Sequence, residues 1–192
     1  MSTTRHWGST ADERTQAFPC DKFIANGDRA LYRAIGVAAP PATVFRWLCQ
    51  LRVAPYSYDL LDNFGRTSPR ALTPGLEDLV VGQRVMTIFE LVEFERDHHV
   101  TLVFDRGRGV FGDLAVTYRV TRAASGSRLV VKIAVRTRGL MSRMLQPLLA
   151  IGDFVMMRKQ LLTLKRLAEG HETSPPERHE TLRHLDRPQR RA

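Results

Sequence analysis

The chain has 192 residues, 43% of them apolar and 26% charged, the balance of one soluble globular domain whose core needs no metal or disulfide staple. No apolar run reaches the roughly 18 residues of a membrane-spanning helix, Cys20 and Cys49 are too few for a disulfide framework, and Met1–Asp28 shows no secretory signal, so a reducing, cytoplasmic compartment is expected. The net charge is +9, and residues 29–170 hold essentially all of it: Asp12, Glu13, Asp21 and Asp28 outweigh Arg5, Arg14 and Lys22 at one end, and residues 171–192 are nearly balanced.

Residues 1–28 are polar and irregular, and are read as a flexible N-terminal lead-in. Arg29 to Val37 reads as a strand, stopped by Ala39-Pro40-Pro41; proline is tolerated in the first turn of a helix. Val44, Phe45, Leu48 and Leu51 then fall at helical spacing. Pro55 ends that helix, and Tyr56 to Asn63 is a second short helical candidate before Phe64-Gly65. Residues 66–83, with Pro69, Pro74, Gly75 and Gly82, read as loop. Arg84 to Glu95 is β-rich, Asp97-His98 reads as a turn, His99 to Asp105 as a strand and Gly107 to Gly112 as a loop.

Leu114, Val116, Tyr118 and Val120 alternate with Ala115, Thr117, Arg119 and Thr121. After Ser125-Gly126, Leu129, Val131, Ile133 and Val135 alternate in the same way. Paired as a hairpin, the two strands put Arg119, Arg128, Lys132 and Arg136 together on the face opposite their apolar residues. That face is either a solvated surface or a basic docking surface for anionic lipid, nucleic acid or an acidic partner. Beyond Gly139 the pattern turns helical. Phe154, Met157, Leu161, Leu164 and Ala168 form one apolar stripe, Pro147 marks a start or a kink and Gly170 a stop. Residues 171–192, with three prolines and two leucines, are read as a disordered charged tail. The order β, α, α, several antiparallel β and one long α predicts an α+β domain over residues 29–170, whose sheet is covered by the last helix.

With these elements in place, the chain resembles the START/birch-pollen-allergen superfamily (SRPBCC, polyketide cyclase/dehydrase-like), in its bacterial members. The resemblance is carried by VAAPPATVFRWLCQL (37–51), VGQRVMTIF (81–89), the strand pair at 113–136 and GDFVMMRKQLLTLKRLAE (152–169). It implies a helix-grip fold: a curved antiparallel sheet wrapped around a long C-terminal helix, with two short helices after the first strand and an apolar cavity between sheet and helix. By position, the resemblance places Met86, Ile88, Leu102, Phe104, Leu114, Val116, Tyr118, Leu129, Val131, Ile133, Met141, Met144, Phe154, Met157 and Leu161 along that cavity; the plainer reading has them fill a core. The paired methionines suit an adaptable pocket.

The motifs tested for chemistry are thin. GRGVFG (107–112) matches G-x-G-x-x-G in letters, but a strand follows it where a dinucleotide site needs a helix. Glu93, Glu95, Asp97, His98 and His99 are ligand-type residues, yet neighbouring histidines in an extended strand point apart, so a polar hairpin tip is expected and no metal. Cys49 lies in an apolar helix and reads as a small hydrophobe. The catalytic candidates are Glu90, Tyr118 and Arg158. Glu90 shares its strand phase with Met86, Ile88, Val92 and Phe94, so either it faces the cavity or a bulge near Phe89–Glu90 turns it out; the cost of burying an unpaired carboxylate favours the bulge.

The reading that follows is a binder of a small hydrophobic molecule (lipid, polyketide or isoprenoid), with no cofactor expected. The alternatives are a polyketide cyclase/dehydratase-type enzyme in the same cavity, or an interaction protein using the basic face. Nucleic acid is not an expected partner. Peripheral contact with an anionic membrane stays open, as does the choice between monomer and homodimer.

Overall fold

The computed structural model of the protein describes residues 5–24, 29–57, 67–104, 113–137 and 139–173; within the last span, side chains are described at 152 and 154–171. The second helical candidate beyond Ser57, the GRGVFG loop, the side chains of Met141 and Met144 and the charged tail beyond Thr173 lie outside what is described.

Seven strands form one curved sheet in the order β1-β2-β7-β6-β5-β4-β3. They are β1 (His6–Trp7), β2 (Arg29–Val37), β3 (Arg84–Val85), β4 (Phe89–Glu95), β5 (His99–Phe104), β6 (Asp113–Ala123) and β7 (Gly126–Arg136). Strands β3 to β7 run as an antiparallel meander, β2 closes beside β7, and β1 adds in parallel at the edge. Among the described residues the α-helices are α1 (Ala11–Thr15), α2 (Pro41–Cys49) and α3 (Gly139–Thr173). This is the helix-grip architecture, α3 lying against the inner sheet face.

The register follows from alternation. Leu114, Val116, Tyr118 and Val120 on β6 meet Val135, Ile133, Val131 and Leu129 on β7, and all share the inner core with Leu161, Leu164 and Ala168 of α3. The β6–β7 turn requires glycine: Gly126 has φ of +127°, and a Cβ there would lie 2.3 Å from the Val37 carbonyl oxygen. Pro40 and Pro41 start α2, which buries Val44, Phe45, Trp47 and Leu48 against the core. A 3-10 turn over Gln50–Arg52 follows. Gln50 both donates to the Thr73 carbonyl and accepts from the Thr73 amide, at 3.3 and 2.9 Å, and so ties down the loop after α2. The long helix runs through Pro147 and past Gly170 to Thr173, because glycine weakens a helix without forbidding it.

Two segments depart from the sequence pattern. Arg84 to Glu95 is not one strand but a hairpin, β3 turning into β4 over Met86–Ile88. No glycine or proline signals this turn; Met86 and Thr87 themselves take φ of 49° and 66°. The second departure is at the N-terminus. Sequence pattern assigns residues 1–28 no fixed structure, whereas residues 5–24 pack across the outer sheet face. Phe18, Cys20 and Ile24 are buried there with Tyr32, Ala34, Ala115, Val130 and Ala134 in a second apolar cluster. Their spacing follows neither helical nor strand periodicity, so the pattern is silent about them.

Candidate functional site

The inner face changes character along its length. At one end Leu161, Leu164, Leu129, Val131 and Leu102 are fully buried. Toward the other end Met86, Phe89, Phe104, Leu114, Val135, Phe154 and Met157 are half-buried apolar groups. A polar cluster sits inside this otherwise apolar interior. Tyr118, 1% exposed, donates its hydroxyl to Gln160 Oε1 at 2.8 Å, and the Gln160 amide donates to the Pro55 carbonyl at 2.6 Å. Two thioethers flank the pair: Met86 Sδ is 3.5 Å from Gln160 Nε2 and Met157 Sδ is 3.9 Å from the Tyr118 oxygen. Next to Pro55, the Tyr56 ring meets Trp47 edge-on at 6.1 Å. Trp47 is 2% exposed, and its indole N–H has no hydrogen-bond acceptor among the described residues.

A buried arginine belongs to the same interior. Arg33, on the inner phase of β2, is fully buried and donates to the carbonyls of Arg5 and Tyr32. Its guanidinium lies 5.5 Å from the Phe154 ring.

The lining residues expected from the sequence divide clearly. Val116, Tyr118, Val131, Ile133 and Leu161 are buried on the inner face, and Met86, Phe104, Leu114, Phe154 and Met157 lie at its half-buried end. Ile88 does not join them: it sits on the β3–β4 turn and is 37% exposed. Glu90 is exposed, paired opposite Arg84 and Val103 on the outer phase. The turn at Met86–Ile88 resets the alternation before Phe89, and the register shift in β4 falls between Leu91 and Glu93. Arg158 is exposed and stacks over Trp7 at 5.7 Å. Burial pushes the Cys49 thiol up to about 12, so it stays protonated and unreactive at neutral pH.

Sequence reasoning missed three residues. Arg33 was legible as a charge on the apolar phase of Leu31, Ile35 and Val37. Gln160 lies beside Leu161 with no periodic signal of its own, and Trp47 reads only as core.

The basic outer face is not free. Lys132 pairs with Asp21 at 2.7 Å, and Arg128 pairs with Glu13 at 2.7 Å. The Arg119 guanidinium lies 3.8 Å from the Phe18 ring and donates to Gln16 and the Ala17 carbonyl. Arg136 reaches Asp113 at 3.8 Å. The chain's own N-terminal segment is what meets this face. At its edge, Glu95, His98 and His99 converge, because Asp97 takes φ of 61° and draws His98 out of the extended strand. The two rings therefore meet and do not splay.

Among the described residues no helix is long and apolar enough to cross a membrane. No family model and no curated protein matches the chain. Solved structures with a similar outline include KanY, at 16% identity over 75% of this chain and 99% of that one, with a TM-score of 0.49. Another is the protein MLL2253 from Mesorhizobium loti, at 13% identity over 77% and 100%, with a TM-score of 0.47. The di-domain aromatase/cyclase StfQ from the steffimycin biosynthetic pathway matches at 10% identity over 74% of this chain and 51% of that one, with a TM-score of 0.46. The fold is assigned on strand order and register, which the chain displays by itself.

Proposed function

We propose that the protein binds a small hydrophobic molecule of the lipid, polyketide or isoprenoid class between the sheet and α3. The observation that carries this reading is the Trp47 indole N–H, a buried donor with no acceptor among the described residues, in the same apolar core as Tyr118. An unmet buried donor costs about 1–3 kcal/mol, which a ligand oxygen would recover. The half-buried apolar end of the inner face supplies the rest, since burying apolar area against a ligand stabilises by roughly 25 cal/mol per Å². A few polar groups among apolar walls is the usual composition of such sites.

Simple binding is favoured over cyclase or dehydratase chemistry. Acid/base turnover needs a titratable group facing the substrate. Glu90 and Arg158 are exposed, and the Tyr118 hydroxyl proton is already engaged by Gln160. The docking reading is weakened by the ion pairs that occupy the basic face.

Two measurements test the proposal. Freshly purified protein should carry a lipophilic adduct in native mass spectra. In a Trp7→Phe variant, Trp47 is the sole tryptophan, and its emission should change saturably on titration with a fatty acid, an aromatic polyketide or an isoprenoid alcohol. No adduct together with flat titrations for all three would overturn it.

A further inference from the structure

We propose that Glu95, His98 and His99 bind one divalent transition-metal ion of the zinc class at the β4–β5 hairpin, on the outer side of the sheet. The turn builds the site. His98 donates its amide to the Glu95 carbonyl at 3.1 Å, and its own carbonyl accepts from Val120 at 2.7 Å. This holds the His98 ring against His99, centroids 5.4 Å apart and planes at 79°.

Three ligand-type atoms then lie close together. His98 Nδ1 and His99 Nδ1 are 3.2 Å apart, and Glu95 Oε2 is 3.3 Å from the first and 3.7 Å from the second. A tetrahedral ion with bonds of about 2.0–2.2 Å requires ligand–ligand edges of about 3.3–3.6 Å. The triangle therefore accepts such an ion with shifts of a few tenths of an ångström. Two imidazoles and one carboxylate suit zinc, cobalt or nickel better than magnesium or calcium. Glu95 is exposed and His98 half-exposed, which leaves a fourth position for water.

The surroundings of His99 are the second, independent observation. The residue is 6% exposed, and its Nε2 has no hydrogen-bond partner among the described residues. Glu93 Oε1 lies 3.6 Å from that nitrogen, and Glu93 is itself held by Lys22 at 2.8 and 2.9 Å. Metal on Nδ1 fixes the proton on Nε2, facing Glu93, which is the carboxylate–histidine–metal order that orients ligating histidines. Through Glu93 and Lys22 the ion would also brace the N-terminal segment against the sheet.

The test uses the full chain, stripped of metal by a chelator and titrated near neutral pH with Zn²⁺ and, separately, Co²⁺. One equivalent should bind with micromolar or tighter affinity, Co²⁺ should develop the intense visible absorption of a tetrahedral site, and excess Mg²⁺ should not compete. His98→Ala and Glu95→Gln alter only groups at the hairpin tip, and each should weaken binding at least about 10-fold without changing the metal-free melting temperature; Glu93→Gln should weaken it by about 10-fold or more. Binding absent at about 100 μM Zn²⁺, far above the expected Kd, would overturn the proposal. So would an affinity unchanged in both His98→Ala and Glu95→Gln, which would assign the ion to histidines elsewhere in the chain.

Discussion

The two faces of the sheet are both covered, by opposite means. On the inner face, helices α2 and α3 bring apolar side chains at regular spacing, and Tyr118 and Gln160 bond to each other and to the Pro55 carbonyl. On the outer face, an irregular segment with five residues in α1 brings Phe18, Cys20 and Ile24 as apolar anchors, and acids that meet the basic side chains already standing there. The inner cover is driven by area removed from water. The outer one combines a small apolar cluster with partly solvated ion pairs, each worth little alone. A charged sheet face can therefore be an intramolecular interface, and its charge is then a poor guide to external partners.

The largest effects should come from truncating the anchors of each cover. Leu161 is fully buried on α3, so Leu161→Ala should cost about 3–4 kcal/mol in chemical denaturation, a transfer loss plus a cavity that the sheet cannot fill. Phe18 is 3% exposed, but its segment is held mainly by side chains and can collapse toward the gap, so Phe18→Ala should cost about 2–3 kcal/mol, below the usual range for such truncations. Equal losses would erase the distinction and make the outer cluster a second core of the same rank. A loss under about 0.5 kcal/mol for Phe18→Ala, the size of an ordinary surface change, would mean that the segment contributes nothing to folding.

The ion pairs give the contrast a pH axis. Glu13 also closes a capping box on Thr10 at the start of α1. The Arg128 guanidinium bonded to it is the chief cause that holds its carboxyl below the ordinary 4.5, against the opposing effect of burial. Because its folded value is depressed, the stabilisation is present above about 4.5 and is lost as pH falls through the folded value. Glu13→Gln should therefore cost about 0.5–1 kcal/mol at pH 7, the size of a solvent-screened pair. The difference between variant and parent should vanish in strong acid. A deficit that persists at low pH would show that Glu13 acts through capping and packing, with no part for its charge.

How much of this was legible follows the same division. Strict alternation in β6 and β7, and the stripe from Phe154 to Ala168, gave the sheet, its inner face and the covering helix, because periodic burial leaves a periodic trace. The N-terminal cover left none: Phe18, Cys20 and Ile24 become core only through contacts with Thr117, Tyr32 and Lys132, remote in sequence. The candidate site divides likewise. Tyr118 could be placed on the inner phase, but the bonds that define its surroundings come from Gln160 and Pro55, which no local rule joins. The outward position expected for Glu90 needed a bulge near Phe89–Glu90 in the sequence reading, because the turn that produces it, lacking glycine and proline, was invisible in RVMTIFE.

That turn supports the smallest and sharpest prediction. Thr87 is exposed and holds φ of 66°, a region that a β-branched residue enters at a cost of about 1–3 kcal/mol. Glycine would relieve most of that cost and return part of the gain as greater freedom of the unfolded chain. Thr87→Gly should thus stabilise the protein by about 0.5–1 kcal/mol, seen as a higher denaturation midpoint at unchanged slope. Met86, at φ of 49°, is strained in the same sense but is half-buried against Gln160. Met86→Gly should therefore be destabilising, because the packing lost on the inner side outweighs the strain relieved. Opposite signs at adjacent residues would show that the strained turn persists because it delivers Met86 to the interior. If both substitutions stabilise, Met86 contributes no packing worth the strain, and the thioether drops out of the proposed site.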